Sequence, residues 1–447
     1  MDTRLRGYDI LLGNALGHRL YGNSSGSGRP SPNMNQKRIF PVIALLLTNS
    51  LAATLVLPIL PLVAVSQFGA SVFQALLLET CYYGAKLVAA PILGRSSDRR
   101  GRRPILLLSQ TGTVIAFTLF VVAHPAGRTL PPILGLNSGL LILYAARLLD
   151  GVTAGSSTAA KAYVADVVPE NGRSQVLGWM SATLGIGFIF GPITGGLLSA
   201  QFGLLAPFVA AGTLTFAALV GSTLILQESL QPRTAAHKQA TTTAKLSLPH
   251  IFQQTIFVRI TAMGFLATLC FSAISAIFVL YINAIFFTDA ADLSAASRFA
   301  GLAFTLIGIT LAVTQIFLIK PLVKKYGETA VVQFSQISMV ATFAAIPFVT
   351  NRTLFLLLAI PFVFVYGLLE PNLQAIVSRT DDNIRGQLFG LYQSTLSGAD
   401  LLGPVWVALA FESISPQSVW WLSAVLMFLG FAISLTFRGR SRLSPSR

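Results

Sequence analysis

Residues 171–192 read NGRSQVLGWMSATLGIGFIFGP, and residues 383–404 read NIRGQLFGLYQSTLSGADLLGP. The two stretches carry identical residues at a constant separation of 212 positions, which is 383 minus 171. Among these pairs are Asn171 and Asn383, Arg173 and Arg385, Gln175 and Gln387, Gly178 and Gly390, Gly191 and Gly403, and Pro192 and Pro404. Repetition at one fixed separation indicates that the chain contains two similar halves that run in the same orientation.

Apolar residues dominate the sequence around this repeat. Of the 447 residues, 53% are hydrophobic and 11% are charged, whereas a soluble globular domain has roughly 25% charged residues. The apolar residues form continuous blocks of about 20, the length that a helix needs to cross a bilayer. Barrel strands would instead show short, alternating segments. The sequence therefore predicts an all-α membrane protein with about twelve transmembrane helices, in two six-helix halves related by a parallel repeat.

The predicted spans, numbered one to twelve, divide the chain into five regions. The spans cover residues 41–65, 71–94, 105–123, 138–162, 174–199, 204–226, 256–286, 298–320, 330–350, 353–377, 387–411 and 417–437. The predicted regions are a disordered basic N-terminal tail (1–39), the N-terminal half (40–226), a cytoplasmic linker (227–254), the C-terminal half (255–437) and a basic C-terminal tail (438–447).

The net charge of +15 arises from basic residues in alternate loops and not from a basic soluble domain. The basic loops contain Arg95, Arg99, Arg100, Arg102 and Arg103 after span two, Lys324 and Lys325 after span eight, and Arg438, Arg440 and Arg442 after span twelve. The positive-inside rule places these loops and both termini in the cytoplasm. We therefore expect a multi-pass protein of the plasma (inner) membrane, with no nucleic-acid partner.

Cysteine and histidine give no sign of a metal or cofactor site. Cys81 and Cys270 both fall in predicted spans, and the four histidines fall in loops or tails. Neither a disulfide framework nor a zinc-ligand spacing is present. We expect no metal and no cofactor.

The loop after span two carries the most specific motif, GRSSDRRGRRP at residues 94–104. Its glycines permit a tight turn between two helices, and the Asp98 carboxylate can face a helix N-terminus or an arginine. The positions that define the motif are Gly94, Asp98, Arg99, Gly101, Arg102 and Arg103. The alternative is a basic loop that only fixes topology.

Among the charged residues inside predicted spans, five are candidates for a proton or substrate pathway, which intramembrane charge commonly marks. Arg147 in span four has Asp150 at i+3 as a partner. Glu79 and Lys86 in span two share a helix face but lie about 10 Å apart along it. Asp400 falls near the middle of span eleven. A purely structural ion pair is the alternative for Arg147 and Asp150.

Span five contains GIGFIFGPITGG at residues 185–196. Gly187, Gly191 and Gly195 repeat every four residues, so they line one helix face and allow another backbone to approach closely. Pro192 predicts a kink, and Gly196 completes the motif. The alternative is ordinary packing of small residues.

These stretches, together with LYAARLLDG at 143–151, resemble tetracycline-type exporters, the drug:proton antiporter group of the major facilitator superfamily. The resemblance implies that the loop motif G-x-x-x-D-R-x-G-R-R holds the cytoplasmic side closed across the two halves. It links an arginine at the place of Arg147 to proton coupling, and the glycine motif of span five to exporters. In the family's fold spans two and eleven meet, which brings Lys86 and Asp400 within pairing reach, unless each is solvated separately. The acid that tetracycline exporters carry on span one is replaced by Asn49.

The motifs favour a secondary transporter. We expect proton-coupled efflux of a small amphipathic or organic-anion compound by alternating access, with protons, substrate and the lipid bilayer as partners and a monomer as the functional unit. The alternatives are an uptake symporter for a nutrient or organic anion on the same fold, and a receptor that transports nothing. No constellation of nucleophile, base and metal points to an enzyme, and no phosphate-binding loop points to an ATPase.

Overall fold

A computed structural model of the protein describes residues 36–133, 135–229, 255–287, 293–377 and 385–436. Most of the predicted tail 1–39 and of the linker 227–254, and all of the tail 438–447, lie outside these residues. The first helix begins at Gln36, inside the predicted tail.

The helices follow the predicted order of the spans, and we keep the same numbering. In the N-terminal half they are Gln36–Val56 and Leu60–Phe68 (span one), Val72–Arg100 (two), Arg102–Thr129 (three), Ser138–Ala154 and Ser157–Val167 (four), Glu170–Phe202 (five) and Ala206–Ile225 (six). In the C-terminal half they are Thr255–Phe286 (seven), Leu293–Val313 with the π-helical turn Thr314–Leu318 and Ile319–Tyr326 (eight), Glu328–Ala345 with the 3-10 turn Ile346–Phe348 (nine), Arg352–Val377 (ten), Arg385–Ser413 (eleven) and Ser418–Leu435 (twelve).

Spans one and four are each divided, which corrects the expectation of continuous helices over 41–65 and 138–162. Pro58 lies in the break of span one, because proline has no N–H to donate and its ring clashes with the preceding turn. Span four breaks after Ala154, so its helices are 17 and 11 residues long. In the described part of the chain, each of the eleven spans other than span four is long and apolar enough to cross a membrane.

The break in span four lies at a close approach to span two. A Cβ added to Gly155 would lie 2.9 Å from the backbone nitrogen of Ala90. The Thr158 hydroxyl donates a hydrogen bond to the carbonyl oxygen of Ala90 at 3.2 Å. Glycine at this position therefore lets the two backbones pack together.

Each half contains an apolar core, and the N-terminal core extends into the other half. The N-terminal core is built on buried residues such as Leu76, Phe117 and Phe208. It also includes Ile277 of span seven and Val407 of span eleven. These two spans therefore bury part of their apolar surface against the N-terminal half.

The repeated glycines pack equivalent helices in both halves. A Cβ added to Gly191 of span five would overlap the Thr54 hydroxyl of span one. A Cβ added to Gly403 of span eleven would lie 2.8 Å from the Ser272 hydroxyl of span seven. Span five thus packs on span one as span eleven packs on span seven, which is the relation expected of a parallel repeat.

Candidate functional site

The motif of residues 94–104, called the motif loop here, is helical apart from Gly101, because span two continues to Arg100 and span three begins at Arg102, which corrects the expected loop. It is organised around the buried side chain of Arg102. Its Nη1 donates to Asp98 Oδ1 at 2.5 Å and to the Ser97 hydroxyl at 2.8 Å. Its Nε donates to Asp166 Oδ2 of span four at 3.0 Å. Gly101 has a φ of 103°, a conformation that favours glycine. Of the two acids that Arg102 joins, Asp98 is the more exposed, at 56%.

Glu228, just after span six, binds the start of span three. Its Oε1 accepts a hydrogen bond from the backbone N–H of Arg102 at 2.8 Å, and its Oε2 accepts one from that of Arg103 at 3.1 Å. These N–H groups belong to the first helical turn, which has no partners within the helix. A role for Glu228 was not predicted from the sequence. An acidic residue directly after a transmembrane span is a signal that the sequence does contain.

The remaining motif residues surround this network. Arg103 donates from Nη2 to the carbonyl oxygen of Thr223 at 2.9 Å. Arg99 is exposed. A Cβ added to Gly94 would be in ordinary contact with Thr158 of span four, at 3.5 Å. The loop motif therefore ties together spans two, three, four and six of the N-terminal half.

Arg147 holds a buried cluster of charges in the middle of the N-terminal half. Its guanidinium pairs with Glu79 of span two and, at 3.3 Å, with Asp150 of its own span. It also lies 4.7 Å from the centre of the Tyr82 ring. All three ionisable residues are buried. The pairing of Arg147 with Glu79 was not predicted from the sequence. The two residues are 68 positions apart on different helices, so helical spacing does not relate them.

Lys86 of span two and Asp400 of span eleven lie on helices that meet at the boundary between the halves, but they form no direct ion pair, which was one of the two arrangements that the resemblance left open. Within the described residues, the ion pairs of this region are those of Arg147. Lys86 instead lies 5.9 Å from the centre of the Tyr82 ring. The helices here are in direct contact, since a Cβ added to Gly84 would lie 3.3 Å from Leu401 Cδ1.

Tyr82 connects the two charged groups. Its ring lies beside both Arg147 and Lys86, and cations are attracted to the face of an aromatic ring. The sequence contains a signal for this position of Tyr82, because Tyr82 is three residues after Glu79 and four before Lys86 and so lies on the same helix face.

The glycine motif places span five between the two halves. A Cβ added to Gly187 would lie 2.7 Å from the Ser50 hydroxyl, and one added to Gly195 would overlap the Leu55 carbonyl oxygen, both in span one. The Thr54 hydroxyl donates to the carbonyl oxygen of Gly187 at 2.8 Å. This face of span five therefore lies directly on span one.

Span eight of the other half lies against span five through glycines of its own. A Cβ added to Gly301 would lie 2.7 Å from the carbonyl oxygen of Pro192 and 3.3 Å from the Cα of Gly196. One added to Gly308 would lie 2.8 Å from the carbonyl oxygen of Phe188. Close packing at this boundary involves backbone on both sides, so a bulky side chain here would separate the halves.

An aromatic cavity lies beside this boundary. Its walls include Phe188 of span five and six aromatic residues of the C-terminal half, which are Phe271, Phe278, Phe304, Phe355, Phe362 and Trp420. Ser275 also lines the cavity, and its hydroxyl donates to the carbonyl oxygen of Ser272 at 2.9 Å. The sequence did not reveal this cavity, because its walls come from six spans that share no spacing rule.

Comparison with known proteins agrees with this architecture. The family model of the Major Facilitator Superfamily matches residues 42–289 and 269–447. The chain is 29% identical to the class C tetracycline resistance protein of Escherichia coli over 79% of its own length and 84% of that protein. It is also 29% identical, with the same coverage, to multidrug resistance protein 2 of Bacillus subtilis.

A solved structure shows the same fold. The crystal structure of the human organic anion transporter MFSD10 (TETRAN) matches with a TM-score of 0.61 and 21% identity, over 91% of this chain and 100% of the other. The protein belongs to the Major Facilitator Superfamily. Its resemblance to tetracycline-type exporters of the drug:proton antiporter group is confirmed by relatives named for tetracycline and multidrug resistance.

Proposed function

We propose that the protein is a proton-coupled exporter of small amphipathic or organic-anion compounds that works by alternating access between its halves. The observation that carries this proposal is the contact of spans two and eleven at the boundary between the halves, beside Lys86 of one half and Asp400 of the other, which carry opposite charges and form no direct ion pair. Intramembrane charges that face a moving boundary are the groups through which transporters couple ions to substrate.

The coupling works through the distance between Lys86 and Asp400. A cation close to a carboxylate favours its charged form, and a cation that moves away favours protonation. Rocking of the halves changes this distance, so Asp400 takes up a proton in one conformation and releases it in the other. Glu79 and Asp150 are both paired with Arg147, whereas Asp400 has no ion pair among the described residues, so Asp400 is our first choice for the coupling carboxylate.

Two features support an amphipathic substrate. The aromatic cavity offers apolar walls to such a substrate, since its lining is mostly aromatic and aliphatic side chains. Lys86 supplies a positive charge for an anionic group. Relatives named for tetracycline and multidrug resistance favour export over uptake. Asn49 stands where tetracycline exporters have an acid, so we expect a substrate other than tetracycline.

We also propose a location, an orientation and an oligomeric state for the protein. We place it in the plasma membrane as a functional monomer, with both termini and the motif loop in the cytoplasm. The excess of Lys and Arg in alternate loops supports this orientation.

The test measures proton release from purified protein on addition of substrates found by an accumulation screen of drugs and metabolites. We expect Asp400→Asn to abolish substrate-induced proton release, and Glu79→Gln and Asp150→Asn to weaken it. Arg128→Met, an exposed residue at the end of span three, is the control and should behave as wild type. Normal release from all three intramembrane variants would refute proton coupling. Substrate accumulation in intact cells, in place of depletion, would show uptake.

A further inference from the structure

Glu412 joins the two halves at the end of the molecule opposite the motif loop. Its Oε1 accepts a hydrogen bond from the backbone N–H of Phe73 at 2.8 Å. Phe73 lies in the first turn of span two, and Glu412 lies in the last turn of span eleven. The bond therefore crosses from one half to the other.

The first turn of span two leaves this N–H free for a partner from the other half. Ser71 and Gln74 form a capping box, in which the Gln74 N–H donates to the Ser71 hydroxyl at 3.1 Å and the Ser71 N–H donates to Gln74 Oε1 at 3.0 Å. The N–H of Phe73 has no acceptor in a preceding turn. A carboxylate also interacts favourably with the positive end of the helix dipole.

The bond is far from the motif loop. Phe73 and Asp98 lie on one helix, separated by 25 residues (98 minus 73), or about 38 Å along its axis. Contact between the halves at this end continues inwards to Gly84 and Leu401. Opening of this end requires spans two and eleven to separate, and the hydrogen bond must then break.

We propose that Glu412 is a latch that holds the end away from the motif loop closed, by capping span two from the opposite half. The latch stabilises the conformation described here and releases when that end opens. Glu412 is a positioning residue and touches no substrate. The inference rests on the alternating access proposed above, but it is independent of the substrate, of the coupling ion and of the direction of transport.

Double electron–electron resonance on full-length protein in lipid nanodiscs measures this opening directly. The native cysteines are first replaced, as Cys81→Ala and Cys270→Ala. Spin labels are then attached through Leu130→Cys and Ile414→Cys, which are 52% and 68% exposed and follow spans three and eleven at this end. The two labels lie on different halves, so their distance increases when the end opens.

We expect Glu412→Ala to raise the ratio of open to closed populations about fivefold, the effect of losing an exposed charge–dipole contact. Glu412→Gln keeps an acceptor oxygen and should give a smaller increase. The adjacent exposed Ser413, changed to Ala, should leave the distances unchanged. A distance distribution for Glu412→Ala equal to that of the wild type overturns the proposal.

A second pair of variants removes the donor and leaves Glu412 intact. Phe73→Pro deletes the N–H in a first turn, where proline is tolerated, and Phe73→Ala keeps the N–H while removing the same ring. The latch requires a larger open population in Phe73→Pro than in Phe73→Ala. Equal populations in these two variants also overturn it. Since no step involves substrate, failure of the latch leaves the proposed export function untouched.

Discussion

At the residue scale, the buried positive charge of Arg147 requires negatively charged partners. Its guanidinium is placed between Glu79 and Asp150, and removal of one member of a buried ion pair costs about 3–5 kcal/mol because the remaining charge is left without a partner. We therefore expect Arg147→Met, which preserves much of the side-chain volume, to lower the thermal unfolding midpoint strongly in detergent. Light scattering or intrinsic fluorescence during heating measures this midpoint.

A double variant separates loss of charge pairing from loss of packing. Arg147→Met combined with Glu79→Gln leaves one buried carboxylate fewer, so it should recover part of the lost stability. Arg128→Met, an exposed arginine at the end of span three, is the control and should melt as wild type does. A midpoint for Arg147→Met equal to that of the wild type would show that the cluster does not contribute to stability.

At the scale of elements, span five depends on glycine for its contact with span one. A Cβ at Gly191 would overlap the Thr54 hydroxyl, whereas one at Gly185 would meet nothing within 4 Å. Overpacking of a tight interface costs typically about 1–3 kcal/mol. Gly191→Leu should therefore reduce substrate export at least about fivefold, and Gly185→Leu should export at nearly the wild-type rate. Flux from proteoliposomes with matched protein content provides the measurement, and equal flux from the two variants would contradict the packing argument.

At the scale of the whole molecule, the motif loop connects four spans of the N-terminal half at one end, while Glu412 joins the halves at the other. Asp98 pairs with Arg102, which also binds Asp166 of span four. Asp98→Ala should reduce transport strongly and leave membrane insertion intact, because the arginines that set topology remain. The measurement combines substrate flux with labelling of single cysteines from each side of the membrane.

Arg99→Ala serves as the control for the loop, since Arg99 is exposed and belongs to the same motif. We expect it to reduce transport less than Asp98→Ala does. Unchanged flux from correctly inserted Asp98→Ala would refute a gating role for this carboxylate.

The sequence by itself determined the helical membrane fold and the duplication. Hydrocarbon accepts only helices or closed barrels, so apolar blocks of helical length leave one choice, and the residues repeated after 212 positions place the halves in parallel. The packing role of the glycines in span five also followed from their spacing, since a four-residue interval keeps one face small.

Only the tertiary structure decided which groups meet. Glu79 pairs with Arg147, Glu228 binds the start of span three, and Glu412 reaches Phe73 from the other half. Lys86 and Asp400 lie on helices that meet but do not pair. The breaks in spans one and four likewise needed the structure. The physical reason is that helical spacing relates residues within one turn or face, whereas contacts between helices depend on how the apolar surfaces of distant segments pack together.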